Sequence, residues 1–325
     1  MNIHIISRNE ARHLLPHWPA DVSYSEEFSN FHTLRYGLQS GYIWATADDH
    51  GLLMPIQWGD GIAHSVHKGH TTPCILGAGF PVIEWHEMAH AVRCLTQSRL
   101  YIADLAIPET MARGLSPLPS AQHILLTDGH DIETMFSRFH ETTRKRVRRA
   151  WRQNYRTELI TGRMPRNYYD LYVHHQFEKG TPPRAIEYFN DTAHAFGDGF
   201  LLWGAYMNGQ LVGMNLGWCA DHSIWLSINA SQDAYAQKNV NYLLYYETIK
   251  WACEHAVERI DFGGSSTQDG HIHNSFKIRL GASMMPIYRL RDGTLAARMF
   301  DMIARKKRAL HIRFNKMHNL WRRKS

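Results

Sequence analysis

The sequence contains an internal repeat whose second copy lies about 159 positions after the first. Each copy begins with two apolar runs that are joined by a turn. Trp44 and Trp203 occupy the same place in the first run of each copy and are 159 positions apart. The turn is Asp-Asp-His-Gly (residues 48–51) in the first copy and Asn208-Gly209 in the second. An Asn-Gly pair favours a tight hairpin because both residues tolerate positive φ.

The same offset recurs at a strand that follows an amphipathic helix in each copy. Ile102 and Ile260 begin two apolar segments typical of buried strands, and they are 158 positions apart. Each copy therefore contains a hairpin, a further strand, a crossover helix and a final strand. The crossover helices are predicted over residues 82–97 and 242–256. Three matches in one register predict a duplicated α/β unit that covers residues 41–108 and 199–266.

The chain is long enough for two domains. It has 325 residues, of which 44% are hydrophobic, and one domain usually takes about 150 residues. A turn-rich stretch precedes Asp131, which has the chemistry of a helix start, and the helix that it begins is predicted to end near Tyr155. We predict an N-terminal α/β domain over residues 1–128, a C-terminal α/β domain over 129–293 and a basic C-terminal helix over 294–325.

The positive charge of the chain is concentrated in two segments. The net charge is +6, yet residues 298–325 contain ten Lys and Arg and one acid, so the rest carries 26 basic and 29 acidic residues. Six of those basic residues lie within residues 144–152. Such a cluster either binds the phosphate groups of a nucleotide, RNA or lipid, or forms a solvated helix face. The basic tail, with Phe314 and Trp321 interleaved, suits an anionic membrane surface or tRNA.

Composition and patterning exclude several classes of protein. No apolar run approaches the roughly 20 residues that a membrane helix needs. Residues 1–10 lack the basic and apolar segments of a secretory signal. The four cysteines are scattered without a C-x-x-C pair, which argues against a disulfide framework and a thiolate zinc site. We therefore expect a cytoplasmic protein, with the inner face of the membrane as a place where the tail binds.

One motif indicates a different chemistry. His86-Glu87-Met-Ala-His90 has the H-E-x-x-H pattern of zinc hydrolases, which places two imidazoles one turn apart on a helix with Glu87 as general base. The pattern also arises by chance in a chain with 22 histidines. No third ligand is evident, although Glu109 is a distal candidate. We expect no metal, and a zinc metallohydrolase stays as an alternative.

Two weaker patterns lie between the first hairpin and the first crossover helix. His64, His67 and His70 are spaced three apart, but the polar surroundings indicate a loop, so they are predicted as surface histidines. Gly77-Ala-Gly79 precedes a helix and either holds an anion on backbone N–H groups or forms a plain tight turn.

The second half of the chain resembles a known family. Residues 241–244 (Asn-x-Leu-Leu), 259–263 (Arg-Ile-Asp-Phe-Gly), 275–277 (Ser-Phe-Lys) and 280–282 (Leu-Gly-Ala) resemble the Fem-type, BioF2-like branch of the GNAT acyltransferase superfamily. The basic segment 143–150 resembles the helix that opens this domain. Fem-type proteins have two GNAT-like units in tandem, so the resemblance implies an α/β fold with mixed sheets flanked by helices, in agreement with the repeat.

The resemblance implies an N-acyltransferase that moves an acyl group from acyl-CoA, such as acetyl-CoA, to an amine acceptor, for example a cell-envelope or polysaccharide precursor. The alternative donor within the family is aminoacyl-tRNA, and a catalytically silent binding protein is a further alternative. Residues 236–241 lack the glycines of the superfamily's usual phosphate loop. No coiled-coil arm interrupts residues 144–248, which disfavours the tRNA donor.

The resemblance also implies site residues. Lys277 is the candidate cation that stabilises the developing oxyanion, and the alternative is a surface lysine beside Arg279. Asp261 is the candidate that orients the acceptor amine or takes its proton, and the alternative is that it caps a turn. The predicted coenzyme A contacts are Lys238 and Asn239. The remaining predicted substrate-binding residues are Phe276, Ser265, Ser266, Asn241, Tyr245, Arg146 and Arg149.

Overall fold

The computed structural model describes residues 1–47, 50–66, 69–76, 84–267 and 272–295, together with Met299 and Ile303. The strands in these residues are β1 (Asn2–Ile6), β2 (Gln39–Ala47), β3 (His50–Gly59), β4 (Ile62–His64), β5 (Cys74–Leu76), β6 (Leu100–Ala106), β7 (Ser116–Leu126), β8 (Arg156–Thr161), β9 (Phe200–Met207), β10 (Gln210–Ala220), β11 (Ser223–Ser231), β12 (Arg259–Ser266) and β13 (Ser283–Gly293). The helices are α1 (Arg8–Leu14), α2 (Glu26–Tyr36), α3 (Trp85–Leu95), α4 (Ile132–Arg138), α5 (Glu141–Trp151), α6 (Arg166–Glu178), α7 (Ile186–Phe196), α8 (Asp233–Ala236), α9 (Val240–Glu254) and α10 (Ile272–Arg279).

The two halves repeat one order of elements. The first half runs β1-α1-α2-β2-β3-β4-α3-β6, and the second runs β8-α6-α7-β9-β10-β11-α9-β12. The first half has β5 as an additional element before its crossover helix, and the second half has α8 at the same place. In both halves the first four strands are antiparallel neighbours. The strand after the crossover helix then pairs in parallel, β4 with β6 and β11 with β12. The predicted duplication is confirmed in element order and in strand pairing.

The units are joined by an exchange of strands. β7 follows the first unit but pairs with β12 of the second, and β13 follows the second unit but pairs with β6 of the first. β7 and β13 also pair with each other, so one mixed sheet runs through the described residues from β1 to β8. The predicted domain limits stay predictions, and the sheet is shared across the predicted boundary at residues 128 and 129.

The hydrophobic core of each unit includes a residue from the exchanged strand. In the first unit, α3 places Trp85, Met88 and Val92 on one face, and this apolar stripe packs on the sheet together with Leu290 of β13. In the second unit, α9 packs on the sheet together with Leu125 of β7. Burial of each large apolar side chain contributes roughly 1.5–3 kcal/mol. Each unit therefore depends for part of its core on a strand that lies outside its own repeat.

A third core joins the two units across the other face of the sheet. It brings α2 of the first unit against α7 of the second, where the Phe31 and Tyr188 rings meet edge to face with centroids 5.3 Å apart. Trp218 and Trp225 of the second unit pack against the same cluster. This contact creates the cleft described below.

The hairpins differ in the role of glycine. Asn208 and Gly209 form the predicted turn between β9 and β10, with φ of 51° and 78°. In the first unit, however, His50 and Gly51 lie in β3 and not in the turn. A Cβ atom at position 51 would lie 2.2 Å from the Trp44 ring. The glycine is therefore required for close packing against Trp44, and its prediction as a turn residue was wrong.

The helix predicted from Asp131 to near Tyr155 is two helices. Asp131 caps α4, as predicted, by accepting a hydrogen bond from the backbone of Thr134. The chain then becomes extended at Phe139, whose side chain is buried in the core of the second unit. The guanidinium of Arg144 donates to the carbonyl of Phe139 and so stabilises the break. The prediction of one continuous helix was wrong, because the backbone is extended at Phe139 and α5 begins at Glu141.

Some predictions fall outside the described residues. They concern the 48–49 turn, His67, the glycines 77 and 79, and most of the basic C-terminal helix. The predicted binding of an anionic membrane or tRNA by that helix therefore stays a prediction, as does the cytoplasmic location. Among the described helices, none has the length and apolar character needed to cross a membrane.

Candidate active site

A break in strand pairing marks the candidate site. The parallel ladder between β11 and β12 ends at the pair Trp225 and Asp261, although both strands continue beyond it. At the same place β12 shifts its register with β7, between Asp261 and Gly264. Gly263 has a φ of +72°, a conformation that favours glycine. The turn at Gly263 therefore bends β12 away from β11 and leaves an opening between the strands.

Asp261 lies at the start of this opening and is almost fully buried. Its Oδ1 accepts a 2.7 Å hydrogen bond from the backbone N–H of Gly263, so the side chain caps the turn. Its Oδ2 accepts a 2.5 Å hydrogen bond from Nε2 of Gln122. Burial alone would raise the pKa of Asp261, but the close contact and charge of His70, the charge of Arg259 and the Gln122 hydrogen bond lower it to about 2. The carboxylate is thus ionised at neutral pH.

Lys277 approaches the same opening from α10. It is only 7% exposed, so the alternative of a surface lysine was wrong. Its Nζ donates to the carbonyl of Gly263 at 3.0 Å and to Oγ of Ser265 at 2.8 Å. Burial lowers the pKa of Lys277 to about 8, and the charge of Asp261 opposes the shift. The turn at Gly263 therefore places a fixed cation beside a fixed carboxylate.

His70 is a site residue that the sequence patterns did not indicate. It comes from the segment between β4 and β5 of the first unit, yet its Nε2 lies 3.5 Å from Oδ2 of Asp261. Its side chain is 10% exposed, so the prediction of a surface histidine was wrong. The physical reason is long-range packing, since the ring lies against Trp225 of β11 with centroids 5.8 Å apart.

His123 and Gln122 of β7 complete the buried polar group. His123 is fully buried, and neither ring nitrogen has a hydrogen-bond partner among the described residues. Burial and the charge of Lys277 lower its pKa to about 4, so the ring is neutral at pH 7. No motif in β7 marks these two residues as functional, because the segment has the sequence of an ordinary strand. Their role depends on the exchange that places β7 beside β12.

A cavity of about 500 Å³ adjoins the opening. Its lining residues include Gly263, Gly264 and His70 from around the opening, and also Arg35 and Arg184. Arg35 is paired with Asp191 at 3.0 Å, whereas Arg184 is exposed and stacks on Tyr188 with its guanidinium 4.3 Å from the ring centroid. The aromatic residues of the wall come from both units and are Phe28, Phe31, Tyr36, Tyr188, Trp218, Trp225 and Phe262.

Four of the other predicted substrate-binding residues, Phe276, Tyr245, Arg146 and Asn241, form a second group around the start of α9. Phe276 packs edge to face on Tyr242 and Tyr245, with centroids 4.8 and 4.9 Å apart. Arg146 donates a 2.8 Å hydrogen bond to the hydroxyl of Tyr242 and lies over its ring. Asn241 accepts a hydrogen bond from Asn229 of β11. Arg149 is exposed on α5, and Ser266 follows Ser265 on β12.

The two predicted coenzyme A contacts lie at the N-terminus of α9. Asn239 has a left-handed backbone with φ of 68° and makes no side-chain capping bond. The first N–H groups of a helix have no partner within it, so they are donors for an anion. Lys238 lies over the Tyr235 ring, one residue before Asn239. This arrangement supplies backbone donors without the glycines of the usual phosphate loop.

The H-E-x-x-H motif lies on α3 of the first unit, whereas the predicted coenzyme A contacts lie at the start of α9 in the second unit. Nε2 of His86 lies 3.0 Å from the carbonyl oxygen of Gly114, and Nδ1 of His90 lies 3.6 Å from Asp292. In the part of the chain that the structure describes, no group of three or more His, Cys, Asp or Glu side chains is arranged to hold a metal ion. Glu109 thus supplies no third ligand.

Comparisons with known proteins agree with this geometry. Residues 118–271 match the sequence model of the family described as the acetyltransferase (GNAT) domain. The crystal structure of FemX has 12% sequence identity and a TM-score of 0.65, over 93% of this chain and all of FemX. A tandem GNAT protein from the clavulanic acid biosynthesis pathway has 12% identity and a TM-score of 0.50, over 90% of this chain and 99% of that one.

A third similar structure is the C-terminal domain of a protein described as a lysylphosphatidylglycerol synthetase from Agrobacterium fabrum. It has 11% identity and a TM-score of 0.53, over 91% of this chain and 96% of that domain. No curated protein sequence matches the chain. Residues 118–271 are thus similar to a GNAT domain, and the two tandem units have the fold of FemX and of the tandem GNAT protein. These findings confirm the resemblance in the sequence.

Proposed function

We propose that the protein is an N-acyltransferase that moves an acyl group from acyl-CoA, with acetyl-CoA as the simplest donor, to an amine acceptor. The observation that carries the proposal is the opening between β11 and β12, which has Lys277 and Asp261 at its start and the aromatic cavity beside it. In this superfamily such an opening between parallel strands admits the thioester arm of the donor.

Lys277 has the geometry of an oxyanion stabiliser. Negative charge develops on the thioester oxygen as the amine attacks, and a preorganised cation in a buried site lowers the energy of that state. An ammonium has three N–H donors, and here two are used by Gly263 and Ser265. These two bonds hold Nζ in place and leave the third donor for the developing oxyanion.

The start of α9 fits the phosphate groups of the donor. Its first N–H groups have no side-chain cap, the helix dipole favours an anion there, and Lys238 adjoins the site. Arg146 adds a second cation, because it binds Tyr242 in the first turn of the same helix. These contacts support coenzyme A, although the stretch from 236 to 241 contains no glycine.

The aromatic cavity is suited to the acceptor. Its volume of about 500 Å³ lies in the range of small-molecule sites, and such sites combine apolar walls with a few polar groups. Arg184 places a positive charge among the lining residues. The cavity therefore supports an acceptor of sugar or peptide size, such as a cell-envelope or polysaccharide precursor, whose amine reaches the opening beside Asp261.

A binding experiment tests the donor. Acetyl-CoA at 100 times its dissociation constant should add about 2.7 kcal/mol to the free energy of unfolding, seen as a rise in melting temperature. Lys238→Ala should reduce this rise. Lys250→Ala is the matched control, because Lys250 is a half-exposed cation of the same helix that pairs with Glu254, away from its N-terminus.

Release of free coenzyme A tests the reaction. Wild-type protein with acetyl-CoA should release thiol faster when an amine such as glycinamide is added. A protein that is stabilised by tRNA but not by acetyl-CoA or coenzyme A would instead support the aminoacyl-tRNA alternative. A protein that binds acetyl-CoA without amine-dependent release would support a catalytically silent role.

A further inference from the structure

His70 lies where the two strands of the site separate. Its ring lies between Trp225 of β11 and Asp261 of β12, the two residues that form the last pair of the parallel ladder. A Cβ atom built on Gly264 would lie 3.8 Å from Cε1 of His70. The ring also forms part of the cavity wall. A side chain from the first unit therefore stands at the point where the acceptor cavity meets the donor opening of the second unit.

The contact with Asp261 defines which nitrogen of the imidazole faces the carboxylate. Nε2 of His70 faces Oδ2 of Asp261, which leaves Nδ1 as the nitrogen that is not directed at the carboxylate. Asp261 is itself held by Gln122 and by the backbone of Gly263. An ionised carboxylate at this position favours the tautomer with hydrogen on Nε2. Catalytic contacts of this kind are often long before substrate binds.

The other titratable groups around the cavity are less suited to take a proton. A general base works best with a pKa near the working pH, and that of Asp261 is about 2. Lys277 holds its protons for Gly263 and Ser265, and His123 is not part of the cavity wall. The ring of His32 is 3% exposed, and its Nδ1 lies 2.9 Å from the carbonyl oxygen of Phe28.

We propose that His70 is the general base that takes the proton of the acceptor amine, and that Asp261 positions its imidazole. The inference rests on the proposed function. The amine nitrogen forms a bond to the thioester carbonyl carbon, and the carbon–sulfur bond breaks. The proton leaves the nitrogen for Nδ1 of His70, and the imidazolium passes it to the leaving thiolate or to water in the cavity. The products are an amide and free coenzyme A, so atoms and charge balance.

The first test does not require turnover. In the full chain labelled with nitrogen-15, the signals of His70 are those absent from His70→Gln. Long-range nitrogen–proton spectra should show the tautomer with hydrogen on Nε2. In Asp261→Asn this preference should be lost, because the neutral amide attracts the N–H of the imidazole less strongly than the charged carboxylate does. A wild-type ring with hydrogen on Nδ1, or one unchanged by Asp261→Asn, would overturn the positioning role.

The second test measures the release of coenzyme A from acetyl-CoA with glycinamide across pH 5.5 to 9. His70→Gln should lower kcat/KM by about 10² to 10⁴, the range for a general base, and should abolish the fall of the rate towards acid pH. Added imidazole should partly restore His70→Ala. His174→Gln is the control, because His174 is an exposed histidine on α6. The charged group that faces the ring is Asp261, which itself interacts with the charges of Arg259 and Lys277.

The outcomes separate this inference from the proposed function. Wild-type protein without amine-dependent release at any pH would contradict both. Full activity of a folded His70→Gln, with the wild-type pH profile, would contradict only the role of His70. A loss in His70→Gln that keeps the acid limb and is not restored by imidazole in His70→Ala would show that the residue is structural. Circular dichroism confirms that each variant is folded.

Discussion

Nε2 of Gln122 donates a 2.5 Å hydrogen bond to Oδ2 of Asp261, across 139 positions of sequence. Gln122 lies on β7, which follows the first unit, and Asp261 lies on β12 of the second. The exchanged strand therefore supplies a contact that fixes the carboxylate of the candidate site. His70 supplies a second contact from the first unit. The site of the second unit is consequently complete only when both halves of the chain are present.

We expect residues 1–128 alone not to fold. β7 would lose both of its partners, β12 and β13, and β6 would lose β13 on one edge. The first core would also lose Leu290. The isolated segment should show no cooperative thermal transition by circular dichroism, while coexpression with residues 129–325 should yield a purifiable complex. A stable monomer of residues 1–128 with a cooperative transition would contradict this dependence.

Local chemistry made parts of this fold predictable. The turn at Asn208 and Gly209, the helix start at Asp131 and the two crossover helices depend on residues close in sequence. The exchange of β7 and β13 could not be predicted, since the residues of a strand do not by themselves specify which strand will lie beside it. Contacts such as Leu125 in the second core and Leu290 in the first decide that choice.

The residues that the second half contributes to the candidate site were predictable from the sequence, and those from the first half were not. Lys277, Asp261 and Ser265 belong to the segments that carry the family resemblance, and the structure brings them together around Gly263. His70 and Gln122 belong to strands and loops of the first half, where no local pattern distinguishes them. Their proximity to Asp261 arises from tertiary packing, which is why the histidine triplet was predicted as surface.

Lys277 is expected to be required for turnover. Lys277→Ala should lower kcat by about 10² to 10³, the range for loss of one electrostatic donor to an oxyanion. Lys277→Arg should restore only part of the activity, because a planar guanidinium cannot place its charge at the same point. The measurement is amine-dependent release of coenzyme A from acetyl-CoA. Near-normal activity of Lys277→Met would show that the alkyl stem alone suffices.

Asp261 should make stability dependent on acid pH. Its folded pKa of about 2 lies below the ordinary value of 3.8, so the stability from the ionised carboxylate is present above pH 4 and is lost as pH falls towards 2. The shift corresponds to about 2 kcal/mol. Urea unfolding between pH 2 and pH 5 should show a shallower fall in the free energy of unfolding for Asp261→Asn than for wild type. Parallel curves would contradict the contacts described for the carboxylate.

The H-E-x-x-H motif should carry no stoichiometric zinc. His86 and His90 contact Gly114 and Asp292, and the described residues offer no third ligand. Elemental analysis of protein purified without chelator should find far less than one zinc per chain, and His90→Ala should not change that value. One zinc per chain that disappears in His90→Ala would support the metallohydrolase alternative.

His123 should make the fold less stable as pH falls below neutral. Its folded pKa of about 4 lies below the ordinary value of 6.5, so between these values the unfolded chain binds more protons than the folded one. Stability from this residue is therefore complete above about pH 6.5 and is lost progressively down to pH 4, by about 3 kcal/mol. His123→Phe should remove this fall and raise the free energy of unfolding, because the buried ring nitrogens have no partner in the described residues. Urea unfolding from pH 4 to pH 7 makes the measurement, with the exposed His222→Gln as control. If His123→Phe kept the wild-type acid dependence, proton uptake by other groups would account for the loss of stability. That result would contradict the lowered pKa of His123 in the folded protein.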